Sequence, residues 1–281
     1  MTDTQSLRSI VVGIDGSHTA INAALWAIDE AVSREIPLRL VHVIHPDPVA
    51  AKLVAVTDPR EVEYGEADLR IAAGLVTATG KPVKVKTALL SGDAGAALIA
   101  ESRNADMVCV GSVGIGRLSR ALLGSTAADL AEGAHCAVAI IRAHHDHPRT
   151  SGGGWIVVPI DHSPDNDTVV EQAMEEARRR HATVLALGVW HEHGRETSYD
   201  ALDRRVQPWR AGYPDLRIYQ VATPAGVAGF LADNEAWIQL AVIGRADARE
   251  VAQLVGPQAH PVLGHVECSV LVVGSLPRDE Q

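Results

Sequence analysis

Aromatic side chains are scarce, at 4% of the sequence with one Phe, so a flavin carrier that sandwiches its ring between aromatics is disfavoured. Cysteine is scarce too. Cys109, Cys136 and Cys268 lie in or beside apolar runs (MVCVG, HCAVAII, ECSVLVV), at spacings that match neither a zinc site nor a disulfide framework. All three are expected to be buried small hydrophobes. No apolar run reaches the ~18 residues that span a bilayer, so no membrane partner is expected. The opening MTDTQSLRSI lacks the basic and apolar parts of a signal peptide, and a cytoplasmic location is expected. Basic residues are outnumbered, 25 Lys and Arg against 35 Asp and Glu, which argues against binding nucleic-acid backbone. A small phosphorylated ligand stays open, because backbone amides bind anions without formal charge. Also missing are a Walker-type Gly-Lys-Ser/Thr loop and an obvious acidic pair for magnesium.

What is present is a duplication. IVVGIDGS (Ile10 to Ser17) recurs as IVVPIDHS (Ile156 to Ser163), displaced by 146 positions and identical at six of eight. LRLVHVIH and ATVLALGVWH keep that displacement, so Val43 falls on Val189. Farther on, DMVCVG matches QLAVIG, and GSTAADLAEGAHCAVAII from Gly124 matches GPQAHPVLGHVECSVLVV from Gly256. The halves are read as domains over 1–145 and 153–281, joined through AHHDHPRTSGGG at 143–154. With 281 residues, each half can build its own core.

Each half alternates short apolar runs with amphipathic stretches. In the first, strands are expected near 9–14, 38–44, 83–90, 106–111 and 137–141, apolar enough for a parallel sheet covered on both faces. The spacing of Ile21, Leu25, Ile28 and Val32 predicts one apolar helix face, and Pro37 ends that helix. Val170, Ala173, Met174 and Ala177 repeat the face. The fold class is therefore α/β: two tandem doubly wound five-stranded parallel-sheet domains, with ligands beyond the carboxyl ends of the strands.

Two loops of the first half carry chemistry. Gly13-Ile14-Asp15-Gly16-Ser17 leaves the first strand, where Gly13 permits close approach. Asp15 would accept from ribose hydroxyls, or Asp15 or Ser17 would cap the next helix. The second loop, GSVGIGRLSRALLGSTAADLA, follows the fourth strand and ends with Gly124-Ser125-Thr126 opening a helix. Glycines let amides crowd an anion, and a helix start adds unsatisfied N–H groups and positive dipole. Ser125 and Thr126 add hydroxyl donors, and Arg117 and Arg120 screen charge.

Gly111, two residues, Gly114, nine residues, then Gly124-Ser125 resembles the ATP-binding signature of the universal stress protein family. IVVGIDGS, LVHV and HCAVAIIR are similar to that family as well, once per half in outline. The resemblance implies the adenine nucleotide alpha hydrolase-like fold, with ATP, with or without Mg2+, as ligand. It implies Asp15 near ribose and adenine, and main-chain groups of Val43 at the adenine edge. Gly111, Ser112, Val113, Gly114, Gly116 and Arg117 would wrap ribose and phosphates, and Gly124, Ser125 and Thr126 would hold phosphate oxygens.

The second half departs from that signature. Gly244 and Gly256 remain, but Asp247 replaces the middle glycine and Pro257 replaces Ser125. Each unmade hydrogen bond costs about 1–3 kcal/mol, so one strong site per chain is expected, in the first half. The His144, His145 and His147 cluster reads as solvated linker, His191 and His193 as a strand end, and Arg178–Arg180 as dipole-complementing charge. The function implied is a nucleotide-dependent regulator in the stress response. The alternative is a slow ATPase or nucleotidyl-transfer enzyme on the same fold. A homodimer, or an intramolecular pseudo-dimer of the two domains, would follow from pairing of the apolar last strands CAVAII and CSVLVV.

Overall fold

The computed structural model describes residues 8–45, 58–112, 124–142, 154–163, 165–189, 199–234, 237–245 and 268–274. The chain divides into two compact units, Met1–Ala143 and His144–Gln281. Unit 1 runs β1 (Ser9–Gly13), α1 (His18–Ser33), β2 (Leu38–Ile44), α2 (Pro59–Ala78), β3 (Val85–Ser91), α3 (Ala94–Ser102), β4 (Ala105–Gly111), α4 (Ser125–Gly133) and β5 (Ala137–Ile141). Unit 2 runs β6 (Trp155–Pro159), α5 (Asn166–Arg180), β7 (Thr183–Val189), α6 (Tyr199–Gly212), β8 (Ile218–Thr223), α7 (Gly226–Asp233), β9 (Ile238–Gly244) and β10 (Ser269–Val273). The expected strands are present, their ends shifted by one residue in the first and fourth and by up to two in the third, which begins at Val85.

Within unit 1 the strands are parallel in the order β3-β2-β1-β4-β5, and within unit 2 in the order β8-β7-β6-β9-β10. Both are doubly wound, with the order reversing beside the first strand of each unit. The duplication reaches the irregularities: register slips at Ser9/Ile10 in unit 1 and at Trp155/Ile156 in unit 2. Among the described residues no helix is long and apolar enough to cross a membrane.

Local chemistry explains where the helices start and stop. Ser17 caps α1 by accepting from the Ala20 amide at 3.1 Å, and Asp58 caps α2 with Pro59 in its first turn. α1 ends at a left-handed Glu35: the Ile36 amide bonds Ala31 O at 3.0 Å and the Glu35 amide bonds Val32 O at 3.1 Å. That is a Schellman motif, and Pro37 then enters β2.

The buried face of α1 differs from the expected one. Ala20, Ala23, Ala24, Ala27 and Ala31 are buried together with Ile28, while Ile21, Leu25 and Val32 are half-buried at the flanks. Small side chains occupy the line of closest approach because the helix lies tight against β1 and β4. The repeated face on α5 is as expected: Val170, Ala173, Met174 and Ala177 are all buried. Cys109 and Cys268 are buried free thiols, but Cys136 is only half-buried, at the turn into β5. Arg178–Arg180 do end α5, yet they also form ion pairs. Arg178 bonds Asp215 at 2.9 Å, and Arg179 and Arg180 both hold the fully buried Glu176.

Candidate functional site

The carboxyl ends of β1, β2 and β4 surround a cleft of about 380 Å³ at the point where strand order reverses. Pockets for small ligands occupy roughly 300–1,000 Å³. Of the residues expected in the site, Gly13, Asp15, Val43, Gly111, Gly124, Ser125 and Thr126 line it. Ser112 does not. It is buried, its amide donating to Ile141 O at 2.9 Å and its carbonyl accepting from the Gly124 amide at 2.8 Å. Its main chain therefore fastens the start of α4 to the sheet. Val113, Gly114, Gly116 and Arg117 lie outside the described residues.

In the β1–α1 turn the capping role falls to Ser17. Asp15 instead closes a small turn by accepting from the Ser17 amide at 3.0 Å and the Ser17 hydroxyl at 2.6 Å. Asp15 is exposed at the cleft, and Gly16 beside it takes φ of 79°, which a larger residue resists. The Asp68 carboxylate of α2 lies against Gly16 and 3.6 Å from His42 Nδ1, just beyond hydrogen-bond reach.

Packing presses on two glycines, lightly on Gly13 and hard on Gly111. A Cβ on Gly13 would meet Leu98 Cδ1 at 3.0 Å. One on Gly111 would meet Thr19 Oγ1 at 2.6 Å and the Thr19 carbonyl carbon at 2.8 Å. Gly111 therefore lets α1 settle on β4, whatever the cleft holds.

The electrostatic feature of the cleft is the start of α4. Among the described helices of unit 1, α1, α2 and α3 begin with a side chain bonded back to the helix, from Ser17, Asp58 and Asp93. α4 begins at Gly124 with no side-chain cap, and Ser125, Thr126 and Ala127 of its first turn line the cleft. A helix start carries roughly +0.5 of an elementary charge together with unpaired N–H groups, which suits an anion. Opposite, Ile14, Val41, Ala94, Leu98 and Val110 make an apolar wall. Sequence reasoning missed Ala94 and Leu98, which look like any other apolar positions of a short helix. It also missed His42, next to Val43 in β2, and His45, just past the end of that strand.

The corresponding place in unit 2 is built differently. By the displacement of 146, Pro159 stands for Gly13 and Asn166 for Ala20. Asn166 is buried; its amide donates to Pro159 O at 2.9 Å and its Oδ1 accepts from the Asp161 amide and Arg205 Nη2, each at 3.3 Å. Arg205 also reaches His162 Nδ1 at 3.2 Å. Where unit 1 has a glycine and an alanine lining the cleft, unit 2 has Pro159 and Asn166, whose amide links the Pro159 carbonyl to the Arg205 guanidinium. Asp247, Gly256 and Pro257 lie outside the described residues.

Together, fold and cleft define a tandem of doubly wound α/β units with an anion-suited strand-end cleft in the first. The pattern of the universal stress protein family matches residues 6–142 and again 155–274. A universal stress protein of Mycobacterium tuberculosis is 50% identical over 271 residues, covering 95% of this chain and 97% of the relative. A second from the same species is 38% identical over 286 residues, covering 98% and 99%. The crystal structure of a universal stress protein from Archaeoglobus fulgidus aligns with a TM-score of 0.67 at 18% identity, over 97% of this chain and 98% of that one. The chain belongs to the universal stress protein family.

Proposed function

We propose that the unit 1 cleft binds an adenine nucleotide, ATP in the first instance, and that the chain works in the stress response as a nucleotide-dependent regulator. The observation that carries this is the uncapped start of α4 in the wall of a cleft whose other side is apolar. Phosphates would sit against the amides and hydroxyls of Gly124, Ser125 and Thr126, and the base against Val43 and the apolar wall. Asp15 would meet the ribose, the stretch of Val113, Gly114, Gly116 and Arg117 would close over the phosphates, and Ser112 would hold the start of α4 in place beneath them. Among the described residues no cluster of three or more His, Cys, Asp or Glu is placed to hold a metal. Mg2+ would come with the nucleotide and be held by its phosphates.

In this reading the domains run over 1–145 and 153–281, the protein works where ATP is, in the cytoplasm, and only the first domain is loaded. The apolar last strands would pair with each other or with those of a second chain. Titration calorimetry of the full chain with ATP tests the reading: one site per chain is expected, weakened by Asp15→Ala. No heat at millimolar ATP, or two equivalent sites, would sink it. A turnover assay separates regulator from ATPase: sustained turnover that Asp15→Ala abolishes while binding survives would favour the enzyme.

A further inference from the structure

Three of the large apolar side chains that unit 1 leaves exposed among the described residues share one helix. Tyr64, Ile71 and Leu75 on α2 are 63%, 58% and 43% exposed. Their spacing of seven and four places them along one line of the helix. The opposite line, Gly65, Leu69, Ala72 and Val76, is buried, so α2 has already met its obligation to the sheet. Scattered exposed hydrophobes are ordinary, and those of unit 2 (Tyr199, Tyr219, Trp237) are spread over separate segments. A line of them at heptad spacing is the pattern of a helix that packs on another helix.

We infer that α2 is a self-association surface, through which two copies of this chain pair antiparallel into a reversible homodimer. The charges flanking the line select that partner. Glu63 and Arg70 border it seven residues apart, too far to meet within one helix, and neither has an ion pair among the described residues. A two-fold axis close to Ala67 brings Glu63 of each copy to Arg70 of the other, and Tyr64 to Ile71, each contact made twice. Gly74, with nothing within 4 Å of its would-be Cβ, lets the backbones approach. A parallel pairing would set Glu63 on Glu63 and Arg70 on Arg70. α2 has 20 residues, so the contact is roughly 30 Å long, smaller than a standard stable interface. The association is therefore micromolar.

Sedimentation equilibrium of the full chain over about 1–500 µM tests this. The wild type is expected to pass from monomer to dimer in that range. Ile71→Glu should remain monomeric with unchanged melting temperature, because the residue touches solvent in the monomer. Glu63→Arg should weaken the dimer about tenfold, turning two attractions into repulsions. Glu63→Arg combined with Arg70→Glu should regain it. A wild type that stays monomeric, an Ile71→Glu chain that associates like the wild type, or a charge-swapped chain that does not recover would each overturn the assignment.

Discussion

Glu35 and His181, 146 residues apart, hold the same left-handed backbone at the ends of α1 and α5, with φ of 55° and 51°. Each closes the same pair of hydrogen bonds. Ile36 N to Ala31 O and Glu35 N to Val32 O in unit 1 are matched by Ala182 N to Ala177 O and His181 N to Arg178 O in unit 2. Their side chains share no chemistry. The motif has outlived any preference for glycine, because two satisfied carbonyls and the following strand hold the backbone there.

Glycine at these positions should therefore stabilise the protein. A left-handed non-glycine residue carries roughly 1–2 kcal/mol of steric cost, and the added freedom of glycine in the unfolded chain returns about 0.4–1 of it. Glu35→Gly and His181→Gly should each add about 0.5–1 kcal/mol in urea unfolding, at unchanged denaturant slope. A loss of stability at both would show that the side chains matter more than the backbone.

The strands and the duplication were legible because a parallel sheet covered on both faces writes itself as apolar runs, and IVVGIDGS against IVVPIDHS differs in only two letters. The inward face of α1 was not. Hydrophobicity selects Ile21, Leu25 and Val32, but close helix–sheet approach selects Ala23, Ala24 and Ala27, and size rather than polarity decides. Nor did the sequence mark Glu30 and Glu176 as buried. They occupy equivalent positions and are paired with Arg34 and Arg180 one turn on, a spacing that also describes any solvated helix surface. In the site, Gly13, Asp15 and Gly124 follow from motif spacing, whereas the apolar wall from α3 comes only with the fold. The same limit hid the hydrogen-bond network of unit 2: Asn166 looks like a helix-start residue until its amide is seen on Pro159 O.

Two glycines should respond to alanine with opposite sign. At Gly111 the new Cβ meets the Thr19 backbone at 2.8 Å, and backbone cannot swing aside, so α1 must lift from β4. Gly111→Ala should lose about 1–3 kcal/mol of stability and widen the cleft, visible as both a lower melting temperature and weaker ATP binding. At Gly74, helical and open, alanine should gain about 0.5–1 kcal/mol in dilute solution.

Binding and capping can be separated at α1 and α4, two of the helix starts that face the cleft. Ser125→Ala and Thr126→Val remove hydroxyl donors where α4 has no cap to lose, so melting should be nearly unchanged. ATP affinity should fall about ten- to hundredfold for each, the worth of a hydrogen bond to a charged group. Ser17→Ala removes the α1 cap and should cost about 1 kcal/mol of stability. If Ser125→Ala and Thr126→Val leave affinity untouched in calorimetry, phosphates do not sit on α4.

Unit 2 offers the sharpest check on why one site per chain is expected. Asn166→Ala strips the amide from the Pro159 carbonyl and from the Asp161 amide, leaving buried polar groups unpaired at about 1–3 kcal/mol each, so the melting temperature should drop. It also empties space where unit 1 has Ala20. If Asn166 alone kept nucleotide out, Asn166→Ala with Pro159→Gly would raise the ATP stoichiometry from one to two. The expected result is that it stays at one, because in the sequence Asp247 stands at the position of Gly114 and Pro257, which has no N–H, at that of Ser125. Only Asp247→Gly and Pro257→Ser added to those two changes should bring a second, weaker site into the titration. A second site appearing with the first two changes alone would assign the loss of binding to the crevice floor rather than to the glycine loop.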